Sequence, residues 1–294
     1  MELTERVQAW QSSGERADFR GHGIHTCSRP GDGPLIAFLH GFPSSSYDWR
    51  HVFEADRPQA ALTFDFLGFG LSDKPRDHVY SLFWQADLAE ELIGRHAEGR
   101  PVFVVAHDMG TSVTTELMAR DLEGGLKFDL AGVLLFNGSI VLDKASLTPS
   151  QKILRSRLGP LASRLSSERV FRQQFGSIFS DAHPLTDDEA ADQWALICDG
   201  GGRTMGHKLI FYLGERVEFA SRWHGAIRDW KDLQLAWGLL DPVASTAVLA
   251  ALRELHPGVP VTEMPDLGHY PQLEDPGRMA EIVSDAVAGE ALRR

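Results

Sequence analysis

Residues 102–105 (VFVV) form an apolar run with no alternation, the pattern of a strand covered on both faces. Short runs of the same kind predict strands at Pro34–Leu39, Ala60–Asp65, Leu130–Phe136, Leu233–Gly238 and Val261–Met264, with one or two earlier strands in residues 17–29. Helical spacing appears between them. Leu82, Phe83, Ala86, Leu88, Ala89, Leu92 and Ile93 share one side of a predicted helix over Ser81–Arg95; further helices are predicted over Thr111–Arg120 and Gly277–Leu292. Strands alternating with helices predict an α/β fold with a mostly parallel central sheet. From about Val141 to His224 the alternation stops. Three segments, 151–165, 187–197 and 206–223, are amphipathic in pattern. A helical block inserted between two strands predicts a core of residues 1–140 and 225–294, and a helical cap of residues 141–224 over the carboxyl ends of the strands. Ligands bind at that end of such sheets.

Composition narrows the function classes. The 294 residues carry 29 basic and 41 acidic side chains, a net charge of −12, which argues against nucleic acid and anionic membranes as partners. Cys27 and Cys198 form no metal-like cluster and read as free thiols of a reducing compartment. The N-terminal segment lacks an apolar export core and no apolar run is long enough to span a bilayer, so a cytoplasmic location is expected. No ligand spacing for a metal or organic cofactor appears, and none is expected. The oligomeric state stays open, a homodimer included.

The chemistry begins at Asp108. In AHDMG, the small residues Ala106 and Gly110 flank it two positions away on either side, after a strand and before a helix. That is the spacing of a nucleophile elbow. The other reading of an Asp there is a helix N-cap. Upstream, HGFP (residues 40–43) follows a buried strand, where the Phe42 amide can face a developing oxyanion, with the Met109 amide as second donor. Downstream, His269 lies in DLGHYPQLEDP and Asp241 in GLLDPV just after a strand. The order Asp108, Asp241, His269 is the nucleophile–acid–base order of one hydrolase architecture.

The blocks HGFPSSSYDW, DFLGFGLSDKP, AHDMG and HYPQLEDP resemble the α/β-hydrolase superfamily, in its Asp-nucleophile branch of epoxide hydrolases and haloalkane dehalogenases. They are most similar to the mesoderm-specific transcript protein group. The resemblance implies attack by Asp108 on an sp3 carbon, a covalent ester, and its hydrolysis by water activated by His269, which Asp241 orients. The implied substrate is a small apolar electrophile: an epoxide, opened to a diol, or an alkyl halide. Such dehalogenases usually carry a Trp after the nucleophile, where this chain has Met109; Trp194 or Trp223 of the cap would have to replace it. Epoxide hydrolases use cap tyrosines, and Tyr212 in FYLGER is the one Tyr of the four that falls in the cap. His183 and His207 are the candidates for a second ring-opening donor, and Asn137 for a polar pocket group. His107 reads as structural support, Asp65, Gly68 and Gly70 as loop-shaping residues, and Ser44 to Ser46 as a polar loop. A third reading is a non-catalytic α/β-hydrolase that binds a small apolar ligand.

Overall fold

A computed structural model describes residues 2–55 and 57–291. Eight strands form one sheet: β1 (Glu15–Phe19), β2 (His22–Arg29), β3 (Asp32–Leu39), β4 (Gln59–Phe64), β5 (Val102–His107), β6 (Leu130–Phe136), β7 (Leu233–Gly238) and β8 (Val261–Met264). Their order is β1-β2-β4-β3-β5-β6-β7-β8; β2 is antiparallel to both neighbours and the pairs from β4 to β8 are parallel. The β1–β2 hairpin turns on Arg20 and Gly21, both at positive φ (54° and 81°).

The missing alternation in the central strands has a direct cause. Side chains of a strand point alternately to opposite faces, and here both faces are dry. Ala37, Leu39, Val104 and Ala106 pack with Leu88, Leu92, Val113 and Leu117 on one side. Ile36, Phe38, Phe103 and Val105 pack with Val52, Phe53, Met279 and Val283 on the other. Each of the larger side chains among these contributes about 1.5–3 kcal/mol on burial, so the sheet is held from both sides.

Several helices differ from expectation. Glu5–Ser13 is helical, N-capped by Thr4. Its two buried residues, Val7 and Trp10, are too few to give a periodic signal. The segment predicted over 151–165 is two helices, Pro149–Leu154 and Gly159–Leu165; at the turn between them Gly159 passes so close to the Leu154 carbonyl that a Cβ would lie 2.2 Å from it. Glu168–Gly176 is a further helix beyond those predicted. The segment 206–223 divides into Gly206–Leu209, Tyr212–Glu218 and Ala220–Asp229. The last of these runs through the expected cap boundary at His224 and packs on the helix after β5. The C-terminal helix spans Pro276–Ala291; its predicted end at Leu292 lies outside the described residues.

Candidate active site

Asp108 sits where β5 turns into the helix Met109–Leu122, with φ 43° and ψ −109°. Such a backbone costs about 1–3 kcal/mol and persists only where its surroundings enforce it. Here the Asp108 N–H donates to the Phe136 carbonyl (3.3 Å), and the Asp108 carbonyl accepts from the Thr111 amide (3.1 Å) and the Thr111 hydroxyl. The flanking glycines are required by close approach. A Cβ on Gly110 would lie 2.7 Å from the carbonyl oxygens of Leu39 and His40, and one on Gly41 2.6 Å from the Asp108 Cβ. The side chain of Asp108 makes no capping hydrogen bond to its helix. Its Oδ2 instead accepts the Phe42 amide at 3.0 Å. The N-cap reading is thereby excluded: the carboxylate turns toward the HGFP loop. Met109 is buried and provides the first amide of the helix.

His269 and Asp241 meet. His269 Nδ1 lies 2.7 Å from Asp241 Oδ2, with both side chains almost fully buried. The Asp241 carboxylate is otherwise saturated: Oδ1 accepts the Val243 and Ala244 amides (2.6 and 3.1 Å) and Oδ2 accepts Asn137 Nδ2 (2.8 Å). It can therefore act only as an acceptor for the ring, which fixes Nδ1 as the N–H nitrogen and leaves Nε2 for chemistry. Burial works against a charged imidazole, but the charge and hydrogen bond of Asp241, with Asp108 beyond, outweigh it and raise the His269 pKa. Glu274 explains the HYPQLEDP block: it accepts the amides of Gly268 (2.9 Å), Tyr270 (3.2 Å) and, from the cap, Ser180 (3.0 Å), and so clamps the His269 loop. His107 donates from Nε2 to the His269 carbonyl (2.7 Å), and burial pushes its pKa down to about 3, so it is a neutral support.

Tyr212 is wholly buried in the helix Tyr212–Glu218, 5.7 Å from the Phe42 ring between centroids. Its hydroxyl has no hydrogen-bond partner among the described residues, and Gln151 is the polar side chain that leans toward it. Burial, then the charge of Asp108, raises the phenol well above its ordinary pKa, so it stays protonated.

One turn further on the same helix stands a residue that the sequence reading passed over. Arg216 is buried; its Nε donates to Ser112 Oγ (2.7 Å), its Nη1 to Ser139 Oγ and its Nη2 to the Asp108 carbonyl (2.9 Å). The same Nη2 is 3.7 Å from Asp108 Oδ1, and the guanidinium lies 4.6 Å from the centre of the Tyr212 ring. The available signal was the i, i+4 spacing from Tyr212, which puts both on one helix face.

Other expected residues fall elsewhere. The His183 ring faces Asp266 (3.8 Å) at the surface, and Asp266 also binds Arg278; the loop after Ser180 directs it away from Asp108. His207 lies beside Ser163 (3.2 Å) in a separate cleft with Phe211 and Gly214. The Trp223 N–H is taken by Glu116 (3.0 Å) and is not available to a leaving group. Trp194 lines a cavity of about 270 Å³ with Phe42, Phe69, Phe171 and Leu209; Asp108, His269 and Tyr212 are not among its lining residues. Among the described residues no cluster of His, Cys, Asp and Glu could hold a metal, and no helix is long and apolar enough to cross a membrane.

The loops around the site are fastened by polar residues. His40 donates from Nδ1 to the Gly41 carbonyl and accepts the Phe66 amide on Nε2. Asp65 accepts the Ser46 amide and hydroxyl and the Leu71 amide, joining the HGFPSSS and LGFGLSD loops. Asp48, bonded to Ser44 and Gln193, is pushed up to about 8 by burial, against the pull of those two hydrogen bonds. Its folded pKa exceeds the unfolded value of about 3.9, so its contribution is full below that value and is lost as pH rises toward 8. Asp48→Asn should therefore gain melting temperature over wild type between pH 5 and pH 8.5, by about 2–4 °C per kcal/mol recovered. A constant difference across that range in thermal melts would refute the assignment.

Sheet order, elbow and His–Asp pair together define a hydrolase architecture with a helical insert between β6 and β7. The chain belongs to the alpha/beta hydrolase family, whose sequence profile matches residues 36–282. It is 54% identical to LipZ of Mycobacterium tuberculosis over 94% of this chain and 96% of that protein. It is 33% identical to the mesoderm-specific transcript protein of Mus musculus, over 94% of this chain and 86% of that one, which bears out the resemblance seen in the motifs. The crystal structure of the haloalkane dehalogenase DbeA from Bradyrhizobium elkani superposes with a TM-score of 0.81 over 96% of this chain and 99% of that one, at 21% identity, a likeness of fold.

Proposed function

We propose that the protein hydrolyses an epoxide to a diol through an ester on Asp108. The observation that carries this reading is the Tyr212 hydroxyl: buried, protonated and unpartnered within the field of the Asp108 carboxylate. With Oδ2 held by the Phe42 amide, Oδ1 attacks a ring carbon; the C–O bond of the epoxide breaks and Tyr212 gives its proton to the departing oxygen. Arg216, under the phenol ring, stabilises the phenolate left behind. His269 then takes a proton from water through Nε2, and hydroxide attacks the ester carbonyl. The Phe42 and Met109 amides receive the oxyanion. On collapse, the diol oxygen takes the proton from His269, and the proton on the regenerated carboxyl returns to Tyr212.

Haloalkane dehalogenation is a second reading, supported by Trp194 at the cavity wall. It is weakened by Met109 after the nucleophile and by the commitment of the Trp223 N–H to Glu116. Turnover of styrene oxide without halide release from bromoalkanes is the expected result. Tyr212→Phe should slow ester formation by about 10²–10⁴-fold, as loss of a general acid does; an unchanged rate in single-turnover mass spectrometry would remove Tyr212 from the mechanism. Bromide release would reverse the assignment. Thermal shifts with both ligands but turnover of neither would support the non-catalytic reading.

A further inference from the structure

Large apolar side chains stand exposed at nine positions among the described residues, and five of them fall in one stretch of the cap: Ile153, Leu158, Leu161, Leu165 and Val170. Leu158, Leu161 and Leu165 follow an i, i+3, i+7 spacing and lie along one outer side of the helix Gly159–Leu165, with Leu165 71% exposed. The charge of this stretch is opposite to that of the whole. Residues 149–172 contain Lys152, Arg155, Arg157, Arg164, Arg169 and Arg172 against one acid, Glu168, in a chain of net charge −12. Among the described residues only Arg172 of the six is in an ion pair, with Glu168 and Asp187. Ile153, Leu165 and Val170 are both exposed and part of the cavity lining, so the cavity opens through this face.

We propose that this face of the cap docks on an anionic lipid bilayer and takes apolar substrate from it directly into the cavity. Apolar side chains set among basic ones are what the boundary between headgroups and acyl chains receives: the leucines enter the boundary while the arginines reach anionic headgroups. A second copy of the chain fits less well. A two-fold contact would press this basic patch against its own copy, setting like charges across the interface. The overall negative charge, which argues against anionic partners when taken as a sum, here serves to orient the molecule with the cap toward the surface.

The test is flotation of the full-length protein with vesicles. Binding is expected to phosphatidylcholine vesicles containing about one-third phosphatidylglycerol, at least about tenfold weaker to phosphatidylcholine alone, and reduced by added salt. Leu158→Asn with Leu161→Asn should abolish flotation, and Arg164→Gln with Arg169→Gln should remove the preference for the anionic lipid. None of these four positions lines that cavity, so turnover of a water-soluble substrate should be unchanged in both variants. Equal binding to both vesicle types, or variants that float like wild type, would overturn the proposal. So would a concentration-dependent dimer that Leu161→Asn dissociates while no vesicle binds.

Discussion

Incubated with an epoxide, the His269→Ala variant is expected to gain the full mass of the epoxide on Asp108 and to keep it. A haloalkane would add only its alkyl group, so the mass gained also identifies the leaving group. In the proposed mechanism attack needs only the carboxylate, whereas release needs a base for water. Loss of that base should slow ester hydrolysis by about 10²–10⁴-fold. Asp108→Asn should gain no mass. The pH dependence has a definite sign. The His269 pKa is raised, so the neutral base is lost as pH falls through a value above about 6.5. Wild type should then itself accumulate ester at acid pH, seen by intact mass after acid quench. Substrate turnover by wild type with no adduct on His269→Ala would end the case for a covalent carboxylate.

Arg216→Met is the second large effect. It takes a buried cation from beside the Asp108 carboxylate and withdraws donors from the Asp108 carbonyl and from the Ser112 and Ser139 hydroxyls. Breaking a buried charge contact of this kind costs about 3–5 kcal/mol of stability. Ester formation should fall by about 10²–10³-fold, the range seen when a fixed donor at a reacting centre is removed. Arg216→Lys keeps the charge but not the fork, and should recover part of the rate. The two readouts separate the roles: a variant less stable yet equal to wild type in single-turnover ester formation would confine Arg216 to holding the elbow.

The difference between Arg216 and Asp108 shows what was legible in the chain. Asp108 announces itself locally, because an elbow needs small neighbours at fixed offsets and a preceding strand, all adjacent in sequence. Asp241 and His269 were readable from their order and from the strands before them. Arg216 lies 108 residues from its main partner, and in FYLGER it looks like any solvent-facing arginine of an amphipathic helix. Only packing of the cap against the core reveals that its face is the inner one. His183 failed for the converse reason: a loop histidine carries no periodicity that tells which way it points. The cap as a whole was harder than the core, since several of its helices are four to seven residues long, too short for a 3.6-residue pattern to declare itself.

Phe42 joins the cavity wall to the elbow through a fastened main chain. Its amide holds the Asp108 carboxylate, and its carbonyl accepts the Tyr270 hydroxyl at 3.2 Å, so the main chain is pinned from both sides. Phe42 is also part of the cavity lining, beside Pro43 and Phe69. A smaller side chain at position 42 would therefore alter the cavity wall while the main-chain contact to Asp108 stays in place.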